Sequence, residues 1–204
     1  MKELFFIHVP KTAGTTIENI ALDKGIKWGK HGFQPSLKKP FNETRVATWH
    51  YPLDYYNQNE LNYLKERELF CVVRNPIDKI VSQYNCRWWN DEKTYINDNV
   101  IMFNEEISRM LDSKESQKDL KMIPQHRYVY LNDLKLVNTV IKYENIHQEF
   151  NQKMKEHGYD IMLDRHDNKR DGKKFTKNDL FFYNVKRIYE LYRKDFDLFN
   201  YIME

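Results

Sequence analysis

One lysine, one glycine and three threonines fall within seven residues near the start of the chain, in the stretch PKTAGTT from Pro10 to Thr16. That mixture suits the holding of an anion. Gly14 lets the backbone approach a ligand closely, the hydroxyls of Thr12, Thr15 and Thr16 can donate, and Lys11 adds a full positive charge. The order differs from the nucleoside triphosphate loop GxxxxGK[ST], whose lysine follows the glycine and precedes a magnesium-holding hydroxyl. An ordinary strand-to-helix turn, with Thr12 as a cap and Lys11 in solvent, would use the same residues.

A second segment narrows the choice. In CVVRNPIDKIVSQY, from Cys71 to Tyr84, an apolar run delivers Arg74, Pro76 opens a helix, and Ser82 lies two turns further on. Ligands of open α/β sheets collect at the carboxyl ends of the strands, so Lys11 and Arg74 are expected to face one crevice. Two anion sites there would suit a ligand phosphorylated at two places.

The elements that must position these residues are legible in outline. The apolar run from Leu4 to Val9, bounded by Pro10, predicts a strand buried on both faces. Ile17, Ile20 and Ala21 recur at helical spacing behind it. Residues 25–41 predict a loop, Arg45 to His50 a second short strand, Asn59 to Glu66 a helix, and Glu68 to Arg74 another buried strand. Further helices are expected over Ile101 to Leu111, His147 to His157 and Asn178 to Tyr192. The last carries Val185, Ile188 and Leu191 on one face. The run KLVNTVIKYENI holds one more strand, Ser113 to Lys121 reads as a surface connection, and Asp164 to Lys174 as a charged loop. Alternating strands and helices predict an α/β, P-loop-like three-layer fold with a central, mainly parallel sheet flanked by helices. At 204 residues, one domain over 1–204 is expected.

Charge bounds the partners. Thirty-three Lys and Arg against thirty Asp and Glu leave only +3, so no polyanion-binding surface or nucleic-acid partner is expected and any anion site must be local. Cys71 and Cys86 read as buried free thiols, having neither a disulfide framework nor metal-ligand spacing, and no metal site is expected. The first apolar run is too short to span a membrane, and the Asn42 sequon would matter only in a secreted protein. As it stands the chain reads as cytoplasmic, and its oligomeric state is not legible.

Taken together, the two loops resemble those of sulfotransferases that use 3′-phosphoadenosine 5′-phosphosulfate (PAPS), and specifically the carbohydrate type related to heparan and chondroitin sulfotransferases. The likeness continues through IPQHRYVY, VIKYENI and the closing YELYRKDFDLFNY, and so covers most of the chain. The resemblance implies that Lys11, Thr12, Ala13, Gly14, Thr15 and Thr16 hold the 5′-phosphosulfate, and that Arg74 and Ser82 hold the 3′-phosphate. Lys11 would reach the leaving oxygen, and a basic loop containing Arg170 and Lys173 would close over the cofactor. The product would be 3′-phosphoadenosine 5′-phosphate (PAP), and the acceptor a glycan or other hydroxyl-bearing molecule. A sulfuryl group in flight carries less negative charge than a phosphoryl group, so metal-independent in-line transfer is expected.

Such a transfer needs a base for the acceptor hydroxyl, and histidine suits neutral pH because its unperturbed pKa is about 6.5. His50 ends the RVATWH stretch and is similar in position to the histidine base of heparan 2-O-type enzymes. His8 reads as an oriented core residue, His126 as a possible acceptor contact, and His31, His147, His157 and His166 as solvated. Glu144 reads as a structural carboxylate. Trp49, Tyr51, Tyr55, Trp88 and Trp89 offer flat faces to sugar or adenine, or simply to the core. Two other readings stay open: a P-loop kinase for a nucleotide or small molecule, and a non-catalytic nucleotide-binding module.

Overall fold

The computed structural model describes residues 2–35, 48–86, 99–112, 120–165, 167 and 175–203. In chain order the regular elements are β1 (Leu4–Ile7), α1 (Gly14–Asp23), α2 (Gln58–Lys65), β2 (Glu68–Val73), α3 (Pro76–Tyr84), α4 (Val100–Asp112), β3 (Tyr130–Leu131), β4 (Leu134–Lys135), β5 (Thr139–Lys142), α5 (Ile146–Glu156), α6 (Phe182–Leu191) and α7 (Arg193–Phe199). They form two compact units, Met1–Val73 with Gln125–Lys169, and Arg74–Pro124 with Arg170–Glu204. Among the described residues, no helix is long and apolar enough to cross a membrane.

The first unit is built on a parallel sheet in the order β1-β2-β5, with Phe6 beside Phe70 and Val72 beside Ile141. Alternation of side chains sends Leu4, Phe6, Phe70, Val72 and Ile141 to one face, where they pack with Ile17, Ile20 and Ala21 of α1 and Ile146, Phe150 and Met154 of α5. Truncating a ring such as Phe150, fully buried here, would cost about 3–5 kcal/mol. The other face meets α2. Phe5 lies edge-on to Tyr63, Tyr63 stacks on Phe33 at 4.2 Å, and the Arg67 guanidinium covers Tyr63 at 3.5 Å. Helices therefore flank both faces of a parallel sheet, as the strand–helix alternation requires. Trp28 donates from its indole N–H to the Leu4 carbonyl at 3.0 Å, satisfying one backbone acceptor of β1.

The second unit is helical, with Ile77, Ile80, Val81 and Tyr84 of α3, Phe103, Ile107 and Leu111 of α4, and Ile188, Tyr192 and Phe196 sharing one core. Phe103 and Phe175 stack at 4.5 Å. Inside this apolar surrounding Asn104 and Asn184, both fully buried, satisfy one another: Asn184 Nδ2 donates to the Asn104 carbonyl at 2.9 Å. Asn104 in turn accepts from Phe181 N–H at 2.7 Å and donates to the Asp179 carbonyl at 2.8 Å.

Three expected elements differ. β1 ends at Ile7, because the chain turns through Pro10 to Ala13 rather than running on to Val9. Thr48–His50 is a 3-10 turn and not a strand end, while residues 45–47 lie outside the described residues. The helix expected over Asn178 to Tyr192 is interrupted. Thr176 and Asp179 close a capping box around a 3-10 turn at Lys177–Asp179, Phe181 is extended, and α6 starts only at Phe182. Its buried side runs through Asn184, Ile188 and Tyr192, leaving Val185 half-buried and Leu191 exposed.

Candidate functional site

The loop between β1 and α1 is backbone-strained. Lys11 and Ala13 both adopt φ of 70°, a left-handed conformation that costs a residue with a Cβ about 1–2 kcal/mol. The Ala13 carbonyl accepts from Thr16 N–H at 3.0 Å and Ile17 N–H at 3.2 Å. Among the described residues no acceptor serves the amides of Lys11 to Thr15, and no side chain caps α1. Successive open amides in a turn that leads into a helix N-terminus form a concavity for an anion. Strain of this kind persists where something else over-determines it.

The threonines divide. Thr12 is fully buried and its hydroxyl donates to the Val9 carbonyl at 2.8 Å, so only its amide faces the loop's task. Thr16 Oγ1 accepts from Asp167 N–H at 3.2 Å, which leaves its own proton to give. Thr15 and Lys11 are half-buried.

Gly14 has a second neighbour that sequence reading missed. A Cβ built there would lie 2.3 Å from His8 Nε2, so the imidazole of His8 rests directly on the loop. His8 is 5% exposed, and its Nδ1 is 2.7 Å from Oε1 of Glu18, which is fully buried on α1. A carboxylate only accepts, so neutral His8 carries its proton on Nδ1 and donates it to Glu18. Glu18 Oε1 also accepts from Lys30 N–H at 3.0 Å, while buried Oε2 has no hydrogen-bond partner. The His8 ring also meets His50 edge-to-face, with centroids 4.4 Å apart. One imidazole thus touches both the anion loop and His50. Trp49 flanks His50 at 5.6 Å, and Tyr128 donates its hydroxyl to the His50 carbonyl at 2.8 Å.

A cavity of about 180 Å³ opens where α1 and α5 begin, lined by Ala13, Thr16, Tyr143, Ile146, His147 and Arg165 among others. Both helix N-termini bring partial positive charge to it. Arg165 is held by Asp23 at 2.7 Å and Asp167 at 2.8 Å, and the Asp23 hydrogen bond leads in raising its pKa. Exposed His147 uses Nδ1 to donate to the Leu163 carbonyl at 2.9 Å. His157 is not solvated as expected: its ring is 8% exposed and pairs with Glu68 at 3.0 Å.

In the second unit, Arg74 is largely buried and Ser82 is half-buried on α3. Asn75 caps that helix by accepting Ile77 N–H at 2.9 Å, and Pro76 occupies its first turn. Of the remaining candidates, Arg170, Lys173, His166, Trp88 and Trp89 lie outside the described residues. Tyr51 is buried beside half-buried Tyr55, and burial followed by the Tyr55 hydroxyl raises its pKa. Glu144 and half-buried His126 stand on the first unit's surface turns. Cys71 is buried and burial pushes its thiol up to about 12, whereas Cys86 is half-buried rather than buried.

The model of the sulfotransferase family matches residues 1–202. No curated protein and no solved structure matches the chain.

Proposed function

Because the chain belongs to the sulfotransferase family, we propose that it transfers a sulfuryl group from PAPS to a hydroxyl of a carbohydrate acceptor, with His50 as the base. The observation that carries this reading is the Lys11–Thr16 loop, whose amides stand open and whose Gly14 rests on the same His8 ring that meets His50. Its donor set fits a phosphosulfate: open backbone N–H groups, a Thr16 hydroxyl proton and the Lys11 ammonium. When bound, PAPS supplies the activated sulfuryl group and a phosphate leaving group. Lys11 would offset charge at that leaving group, and His50 would take the acceptor proton.

The cavity beside Ala13 and Thr16 suits a nucleoside, since it joins the aromatic face of Tyr143 to two helix N-termini. Arg74 and Ser82 keep the 3′-phosphate role that the sequence resemblance implies, and Arg170 and Lys173 the role of a cover. A carbohydrate acceptor is supported by the half-buried aromatic side chain of Trp49 beside His50. The family match spans both compact units, which supports one working domain over 1–204.

Calorimetric titration with PAP, ADP and ATP, each with and without magnesium, tests the donor class. Tight PAP binding that ignores magnesium and weakens in Lys11→Ala is the expected result. A preference for magnesium ATP would overturn the proposal. Replacing His50 with Ala should abolish transfer to a glycan library while leaving PAP binding intact, and unchanged turnover would remove the base assignment.

A further inference from the structure

We propose that the buried His8–Glu18 pair is the positioning device for His50, and that the Glu18 carboxylate supplies the negative charge that balances a proton on the His50 imidazole. This deepens the transfer reading and rests on His50 as its base.

Glu18 is an unusual core residue. It is fully buried, and among the described residues no lysine or arginine side chain lies within ion-pair distance of it. A carboxylate buried without a cation is costly unless something offsets its charge. Its Oε1 has two donors, His8 Nδ1 and Lys30 N–H, but Oε2 has none. Hydrogen bonding is therefore incomplete, and the carboxylate's remaining negative potential falls on the imidazoles. His8 is the near one and His50, at 4.4 Å from His8, is the next.

The pair is also locked in place. A Cβ at Gly14 would lie 2.3 Å from the His8 ring, and one at Gly29, whose φ is +50°, would lie 1.7 Å from Glu18 Oε1. Two glycines leave room for this carboxylate and this ring, and a side chain at either position would collide with them. A ring held from both sides presents a fixed surface to His50, and the edge-to-face contact at 79° sets the His50 plane. Fixing a base and balancing its acquired charge are what the third member of a hydrolase triad does, here through a ring contact instead of a hydrogen bond. The other titratable groups around the two rings are Lys11 in the loop, Lys30 and His31 on the 29–31 turn that packs against the 48–50 turn, and Tyr128 at the His50 carbonyl.

The first test is Glu18→Gln, which keeps an oxygen acceptor and removes the charge. Histidine side chains would be titrated by ¹⁵N NMR in the free protein, and kcat and KM would be measured across pH with PAPS and an acceptor. The expected result is a fall of the His50 midpoint by about one pH unit. The acid limb of kcat then moves down with it, the plateau drops about tenfold, and PAP affinity is unchanged. A second variant, His8→Asn, keeps an N–H for Glu18 but removes the ring. It should lower the plateau without weakening PAP binding, and should be poorly rescued by Glu18→Gln. A His50 titration that superimposes on wild type in both variants would overturn the proposal. So would unfolding of both, which would make the pair a folding requirement. Full turnover in His50→Ala alongside a shifted His50 titration in Glu18→Gln would sink the base assignment and leave the coupling standing.

Discussion

The β1–α1 and β2–α3 connections follow the same plan, a buried parallel strand breaking into a helix, yet they treat the helix N-terminus in opposite ways. Before α1 the chain spends strain: Lys11 and Ala13 are left-handed, no side chain caps the helix, and the amides from Lys11 to Thr15 stay open. Before α3 the chain is relaxed, with Asn75 capping Ile77 N–H and Pro76 removing an amide that would otherwise need a partner. An N-terminus that has satisfied itself has little backbone left to offer. In the proposed function the first connection would grip an anion with main chain, and the second would grip one with a side chain, Arg74.

The largest expected effect comes from closing the first connection. In Gly14→Ala the new Cβ meets the His8 ring at 2.3 Å, so the ring or the loop must move. We expect a stability loss of about 1–3 kcal/mol by denaturant titration, and PAP binding too weak for calorimetry. Normal PAP affinity in a folded Gly14→Ala protein would break the claim that this loop holds the anion by its backbone. Arg74→Ala comes next. A lost charge-assisted hydrogen bond is worth about 1.5–3 kcal/mol, or about 10–100-fold in PAP affinity. Loss of less than about twofold would mean that the relaxed connection contributes no grip.

Much of this contrast was legible and part of it was not. Apolar runs bounded by Pro10 and Pro76 located β1 and β2, although β1 ends two residues earlier than its run, and the residue types of PKTAGTT pointed to an anion. Left-handed geometry at Lys11 and Ala13 was not readable, since propensity assigns that conformation to glycine and only the folded loop imposes it elsewhere. His8 followed the apolar pattern of its strand, and nothing local tied it to Glu18 ten residues later. That pairing exists because α1 lies back along β1. The 3-10 turn at Thr48–His50 was hidden by β-branched and aromatic residues that read equally well as strand. Likewise the apolar spacing of Val185, Ile188 and Leu191 showed a helix but neither its start at Phe182 nor its buried side, which runs through Asn184, Ile188 and Tyr192.

The two caps give the contrast a sharper form, because substitutions there should change stability with opposite signs. Asn75→Ala removes a satisfied cap and should cost about 1 kcal/mol. Ala13→Gly relieves a left-handed alanine and should stabilise by up to about 1 kcal/mol, after the larger chain entropy of glycine is subtracted. Thermal unfolding of the two single variants and the double checks both signs. Destabilisation by Ala13→Gly would mean that the strain is absent in solution, and the first connection would then lose its claim to being held open.

The smallest effect tests whether binding follows the loops or merely follows stability. Glu68 begins β2, at the end away from Arg74, and pairs with Lys153 of α5 at 2.6 Å and with His157, just past its end, at 3.0 Å. The hydrogen bond from His157, then that from Lys153, lowers its pKa below the ordinary 4.5. A carboxyl depressed by folding adds stability that is fully present above its ordinary value and is lost as pH falls through the lowered one. With a side chain 26% exposed, the pair should contribute no more than about 1 kcal/mol. Glu68→Gln should therefore lower the melting temperature by a few degrees at neutral pH, with the gap closing once the medium is more acidic than the folded carboxyl's pKa. PAP affinity should match wild type at neutral pH, because neither connection has been touched. If Glu68→Gln weakens PAP in proportion to its lost stability, the losses in Gly14→Ala and Arg74→Ala are fold effects too, and the division between a main-chain grip and a side-chain grip falls.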